Sequence, residues 1–137
     1  MDIACEYNTE TIHRAALFGA EYACELEKKF DANNFCATWM RLYDSGMGKI
    51  FVCEAGTIGC AFTNDMMTGE PQCFISFWFV SPRFRGKGYG KMLLDRAEQN
   101  ARAIGCKAMI HGHPGLPSEG IKKLGFEVIE TGYKKKL

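Results

Sequence analysis

Apolar residues recur every three or four positions from Thr9 to Phe30, at Ile12, Ala15, Ala16, Tyr22, Ala23, Leu26 and Phe30, which aligns them along one side of a helix. Glu21, Glu25, Glu27, Lys28, Lys29 and Asp31 fall elsewhere, so the pattern predicts an amphipathic helix packed on a sheet with a solvated charged face. A second helix is expected over Asn34 to Tyr43, stopped by Asp44-Ser45-Gly46. Ile3 to Tyr7 reads as a short first strand. Lys49 to Glu54 and Thr57 to Thr63 read as a hairpin about Ala55-Gly56. The run Gln72 to Val80 is apolar on both alternating faces, as a strand inside a sheet would be. Ser81-Pro82 breaks it. A helix follows from Gly90 to Ile104, with Leu93, Leu94, Ala97, Ala101 and Ile104 on one stripe and Gly105 as its stop. Lys107 to His111 reads as a strand, Pro117 to Leu124 as a short helix, and Phe126 to Leu137 as one or two closing strands. With no repeat and no linker, the order predicts a single α/β domain over residues 1–137.

The near-neutral total, +1, hides a division. Residues 1–79 hold 5 Lys and Arg against 11 Asp and Glu, a net of −6, whereas residues 80–137 hold 12 against 5, a net of +7. A basic half of this kind points to an anionic partner. The seven cysteines are scattered and include no C-x-x-C pair, so they read as reduced core thiols rather than metal ligands or a disulfide framework. That usage, with no basic start or apolar run at the N-terminus, sets the expectation of a cytoplasmic protein away from membranes.

The chemistry concentrates in Val80-Ser81-Pro82-Arg83-Phe84-Arg85-Gly86-Lys87-Gly88-Tyr89-Gly90-Lys91. Three alternating glycines and four basic residues join a buried strand to a helix start. Glycines allow the backbone to turn its N–H groups toward a ligand, and a helix N-terminus adds unsatisfied donors and partial positive charge. Met92 after Lys91 breaks the G-x-x-x-x-G-K-[ST] pattern of nucleoside triphosphatases. The spacing is not G-x-G-x-x-G, which disfavours a dinucleotide site. Lys87-Gly88-Tyr89-Gly90 matches the opening of an RNA-recognition octapeptide, but Lys91 replaces the aromatic that should follow, so nucleic acid is disfavoured too.

Arg85-x-x-Gly88-x-Gly90 after Val80-Ser81-Pro82 resembles the acyl-CoA signature of the GNAT superfamily of N-acetyltransferases, R/Q-x-x-G-x-G/A behind a V-x-P strand end. Lys123-Leu124-Gly125-Phe126 is similar to the family's later corner, the hairpin with Gly59 to its second and third strands, and Tyr133 to Leu137 to its closing strand. The resemblance implies a mixed, mostly antiparallel sheet, splayed at the acyl-CoA site, with helices on both faces. It implies acetyl-CoA as donor, no metal, and transfer of the acetyl group to a primary amine on a small molecule, a protein lysine or a protein N-terminus. The cofactor would be held by Phe79, Val80, Arg85, Gly86, Lys87, Gly88, Tyr89, Gly90 and Lys91, with the Val80 N–H as donor to the developing oxyanion.

The chain departs from the family where a tyrosine acid is usual, since Ile121 stands there, and Gln72 to Val80 carries no carboxylate. The proton-transfer candidates become His111 and His113, which share one face if the strand continues, with Ser118, Tyr133 and Tyr89 as alternatives for the acid. Cys106 is expected in the core. These departures keep two alternatives open, a catalytically inactive acyl-CoA-binding protein of this fold and a nucleic-acid-binding module. The short chain suggests a homodimer that completes a compact acceptor surface.

Overall fold

The computed structural model describes residues 8–112, 119–130 and 132–137. The expected strand Ile3 to Tyr7, His113 and Ser118 lie outside them. Helices α1 (Thr9–Glu25) and α2 (Ala32–Asp44) come first, then strands β1 (Gly48–Val52), β2 (Gly56–Asn64) and β3 (Pro71–Val80). Helix α3 (Tyr89–Ala103), strand β4 (Ala108–His111) and the single-turn α4 (Glu119–Lys123) complete the order. The sheet runs β1-β2-β3-β4, antiparallel except for the parallel β3–β4 pair. Among the described residues no helix is long and apolar enough to cross a membrane.

Asn8 caps α1 by accepting the Thr11 amide at 2.7 Å, and Asp31 caps α2 through the Asn34 amide at 2.9 Å. Helix α1 ends five residues before the expected Phe30. Glu27 takes φ 56°, and the Leu26, Glu27 and Lys28 amides turn back onto Tyr22, Cys24 and Ala23. This left-handed stop is normally a glycine's place, which is why the sequence does not announce it. Phe30 nevertheless reaches the same helix: its ring lies where a Cβ on Gly19 would be, 2.7 Å away. The closing strands expected over residues 126–137 are absent from the described residues, and Val128, Ile129, Tyr133 and Leu137 are exposed. Their strand-forming side chains have no sheet neighbour there, and a strand without a paired edge or buried face lacks what stabilises it.

Two cores sandwich the sheet. Leu93, Leu94, Ala97 and Ala101 of α3 pack on Phe51, Ile58, Cys60, Cys73 and Ile75. On the opposite face Ile12 and Ala15 of α1 and Trp39 of α2 pack on Ile50. Its hydrogen bond with Cys73 and its burial push the Cys60 thiol up, so it stays protonated and behaves as the small core hydrophobe expected. All six described cysteines are free.

One irregularity in β3 positions everything that follows. Gly59 pairs with Phe77, yet Cys60 pairs with Ile75, which leaves Ser76 bulged and without a β2 partner. The extra residue reverses which side chains face which core. Before it, Cys73 and Ile75 face α3; after it, Trp78 and Val80 do, and Phe77 joins the α1–α2 side.

Candidate active site

The sheet opens where β3 outruns β4. Their parallel pairing covers only Gln72–Ile75 against Ala108–His111, and among the described residues β3 beyond Ser76 keeps β2 alone. Hydrogen bonding alternates along a strand, so neighbouring residues address opposite edges. The Cys53 amide donates to the Gly56 carbonyl at 3.0 Å, which turns Gly56 toward β1 and leaves Thr57 to face Phe79. Ser81 N–H donates to the Ala55 carbonyl at 2.9 Å, on that same β2 side. Val80, between Phe79 and Ser81, therefore addresses the opposite edge, where its carbonyl accepts from Arg85 Nε at 2.9 Å.

A 3₁₀ turn, Pro82–Phe84, carries the chain from that edge into the glycine loop. Gly86 and Gly88 have φ of 77° and 87°, and Gly88 is the residue before the first turn of the 15-residue α3. A Cβ at either would meet nothing within 4 Å. Their lack of a side chain thus serves backbone conformation and leaves the loop facing open space. Lys87 between them is exposed. Gly90 is held to β3 by Trp78, whose Nε1 donates to its carbonyl at 3.1 Å, and Tyr89 meets Phe84 edge-on at 5.7 Å. Lys91 pairs with Asp95 one turn along, at 2.8 Å. The expected loop residues are therefore brought together at one helix start.

Arg85 does more than the sequence suggests. Its Nε holds Val80, its Nη2 pairs with Glu25 Oε2 at 2.7 Å, and its guanidinium lies 5.4 Å from the Phe79 ring centre. Glu21, one turn before Glu25, accepts from Ser81 Oγ at 2.8 Å. The helix face expected to be merely solvated thus grips the strand end and loop through two carboxylates. The Arg85 hydrogen bond holds the Glu25 carboxyl below its ordinary range, and the same bond raises Arg85. The i, i+4 spacing was visible; partners 60 residues away were not.

His111 ends β4 beside the opening, with its ring edge-on to Trp78 at 5.5 Å. Because Trp78 faces α3, His111 stands on that side of the sheet. The other side holds a cleft of about 500 Å³ walled by Tyr22, Phe30, Phe35, Trp39, Phe77 and Phe79. Phe35 and Trp39 lie 5.4 and 5.2 Å from the Phe77 ring, and Tyr22 stacks on Phe79 at 5.1 Å. Burial and the Glu25 charge raise the Tyr22 phenol, which stays protonated at neutral pH. Sequence reasoning missed this cleft because its floor depends on the bulge and its wall on the early end of α1. A smaller cavity, about 190 Å³, lies between α3, β4 and residues 124–126 and touches none of the glycine loop.

The family model for the acetyltransferase (GNAT) family matches residues 8–126. Comparison with curated proteins finds no match by sequence. Among solved structures, the chain is similar to a ribosomal-protein-alanine N-acetyltransferase from Brucella melitensis, at 18% identity and a TM-score of 0.75, covering 100% of both chains. It is also similar to glucosamine-6-phosphate N-acetyltransferase from Arabidopsis thaliana, at 15% identity and a TM-score of 0.75, covering 99% of each. A GNAT family acetyltransferase from Staphylococcus aureus matches at 18% identity and a TM-score of 0.74, covering 99% of this chain and 98% of the other. At these identities the structural likeness is one of fold.

Proposed function

Because the chain belongs to the GNAT acetyltransferase family, we propose that it transfers an acetyl group from acetyl-CoA to a primary amine. The observation that carries this is one juxtaposition. The Val80 edge, which β4 does not cover among the described residues, runs directly into a loop with two left-handed glycines at the start of α3. The residues fit the donor: the open space over Gly86 and Gly88 leaves room for phosphates, and the helix start supplies N–H groups and partial positive charge. Acetyl-CoA supplies a thioester, which a neutral amine attacks at the carbonyl carbon with loss of the CoA thiolate.

The chain's part is to hold and polarise. Backbone amides from Arg85 to Lys91 would grip the pyrophosphate, with Lys87 adding charge. The Arg85 side chain is already spent on Val80 and Glu25, so its role is to fix the loop against the strand. The Val80 N–H would face the oxygen on which negative charge develops, worth about 2.7–4 kcal/mol in comparable sites. His111, on the α3 side with Trp78, is better placed to return a proton to the leaving sulfur than to activate an amine in the cleft. A second reading, acyl-CoA binding without turnover, is favoured by Ile121 in α4 and by the absence of a carboxylate from β3.

Isothermal titration with CoA and with a short single-stranded RNA, followed by thiol release over an amine panel, separates the readings. Saturable CoA binding and amine-dependent thiol release are expected, with His111→Ala lowering kcat by about 10²-fold or more while the KM for acetyl-CoA stays nearly constant. RNA binding without CoA binding would overturn the proposal. Tight CoA binding with no turnover on any amine would establish the second reading.

A further inference from the structure

We propose that the acceptor is a primary amine bearing an aromatic ring, held by that ring in the cleft between α1, α2 and β3. This rests on the acetyl-transfer reading and narrows it. The cleft floor is formed by Ser76, Phe77 and Phe79, the stretch of β3 that borders the opening beside β4. A molecule lodged there lies beside the strand edge that presents Val80. Its volume, about 500 Å³, falls in the range of small-molecule sites.

Chemistry selects within that size. The walls are six aromatic rings, and rings recognise rings by offset and edge-on packing. Polyamines and aminoglycosides need several carboxylates. Among the described residues the cleft has one, Asp31, which already accepts the Asn34 amide as the cap of α2. Lys28 and Lys29 line the same cleft and repel any second positive charge. Nearby Glu21 and Glu25 are held by Ser81 and Arg85.

An aromatic wall also favours the reactive form of the amine. Removing water from an ammonium disfavours its charged form, so a cleft of this kind raises the fraction of neutral, nucleophilic amine. The ammonium proton passes to solvent. The nitrogen then forms the new C–N bond, the donor's C–S bond breaks with its electron pair on sulfur, and the amide nitrogen loses its remaining extra proton to water.

The test compares 2-phenylethylamine, ethylamine, spermidine and a lysine-containing peptide by thiol release with acetyl-CoA. It adds titration of the protein with 2-phenylethylamine, read by tryptophan fluorescence because Trp39 lines the cleft. A kcat/KM for 2-phenylethylamine at least tenfold above the others is expected. Thr38→Trp, which fills the cleft from α2, should raise that amine's KM at least fivefold and leave the KM for acetyl-CoA unchanged. If that variant fails to fold, Tyr22→Leu, which removes a half-buried wall ring, gives the same reading. Preference for spermidine, ethylamine or the peptide would overturn the inference while leaving acetyl transfer intact. So would a KM for 2-phenylethylamine unmoved in both variants. Saturable 2-phenylethylamine binding, lost in Thr38→Trp but without turnover of any amine, would instead sink the transfer reading and uphold the cleft's preference for a ring.

Discussion

Replacing Gly88 by alanine separates the cost of a backbone conformation from the loss of a ligand. Gly88 has φ 87°, where an L side chain costs about 1–2 kcal/mol. An added methyl would meet nothing within 4 Å, so no steric cost adds to it. For a chain of this size the penalty corresponds to a fall in Tm of about 3–8 °C. Gly69, in the β2–β3 loop, provides the control, because its φ is 75° and its surroundings are equally open. Gly69→Ala should therefore lower Tm by a similar amount. The two variants part company on CoA. At Gly88 the methyl stands in the space the phosphates need, and the Kd measured by isothermal titration should rise at least tenfold, about 1.4 kcal/mol or more. Gly69→Ala should leave it unchanged. If both variants melt early and both bind CoA as the wild type does, the loop is not the phosphate cradle and the reasoning fails.

Two more outcomes follow from contacts in the same region. Glu25 should titrate below the ordinary carboxylate range by NMR and return to it in Arg85→Met. A depressed folded value means the pair stabilises the fold above the unfolded carboxylate's pKa and is lost as pH falls through the lowered one. Both partners are nearly half exposed, so the loss should stay below about 1 kcal/mol, and a Glu25 of ordinary pKa in the wild type would remove the clamp. In Gly59→Ala the new Cβ would lie 2.3 Å from the Phe77 ring, forcing that ring toward the cleft at a cost of about 1–3 kcal/mol. Thermal melts should register the cost, and the KM for the amine should shift while that for acetyl-CoA stays put. An unchanged amine KM would show that Phe77 does not shape the acceptor site.

The parts legible in the sequence were those governed by local rules. Leu93, Leu94, Ala97 and Ala101 form one buried helical stripe, and Gly105, with φ 92°, ends α3 where it was expected to, although Ile104, expected on that stripe, is the helix's C-cap and stands exposed. The hairpin about Ala55-Gly56 and the glycine loop before α3 were equally local, so their place and shape could be read with little help from tertiary structure. What escaped depended on distant partners. Phe30 keeps the helical spacing yet lies beyond a stop at Glu27, and only the bare backbone at Gly19 explains how it still packs on α1. Glu21 and Glu25 resemble solvent-facing charges until Ser81 and Arg85 arrive. Val128, Ile129 and Tyr133 have strand-forming side chains but no neighbour among the described residues to pair with. The double apolar face of β3 was visible, whereas the bulged Ser76 that divides it was not.

That single inserted residue shifts the phase of the strand. Along its last four positions, Phe77 and Phe79 look into the aromatic cleft while Trp78 and Val80 look toward the helix that follows the glycine loop. If the cleft takes the acceptor and the loop the donor, as proposed, two recognition tasks are interleaved on one short stretch of backbone, at odd and even positions. On the proposed reading, substitutions at 77 should therefore retune the choice of amine without disturbing the anchorage of α3, whereas those at 79, whose ring lies against Arg85, should reach the donor loop as well.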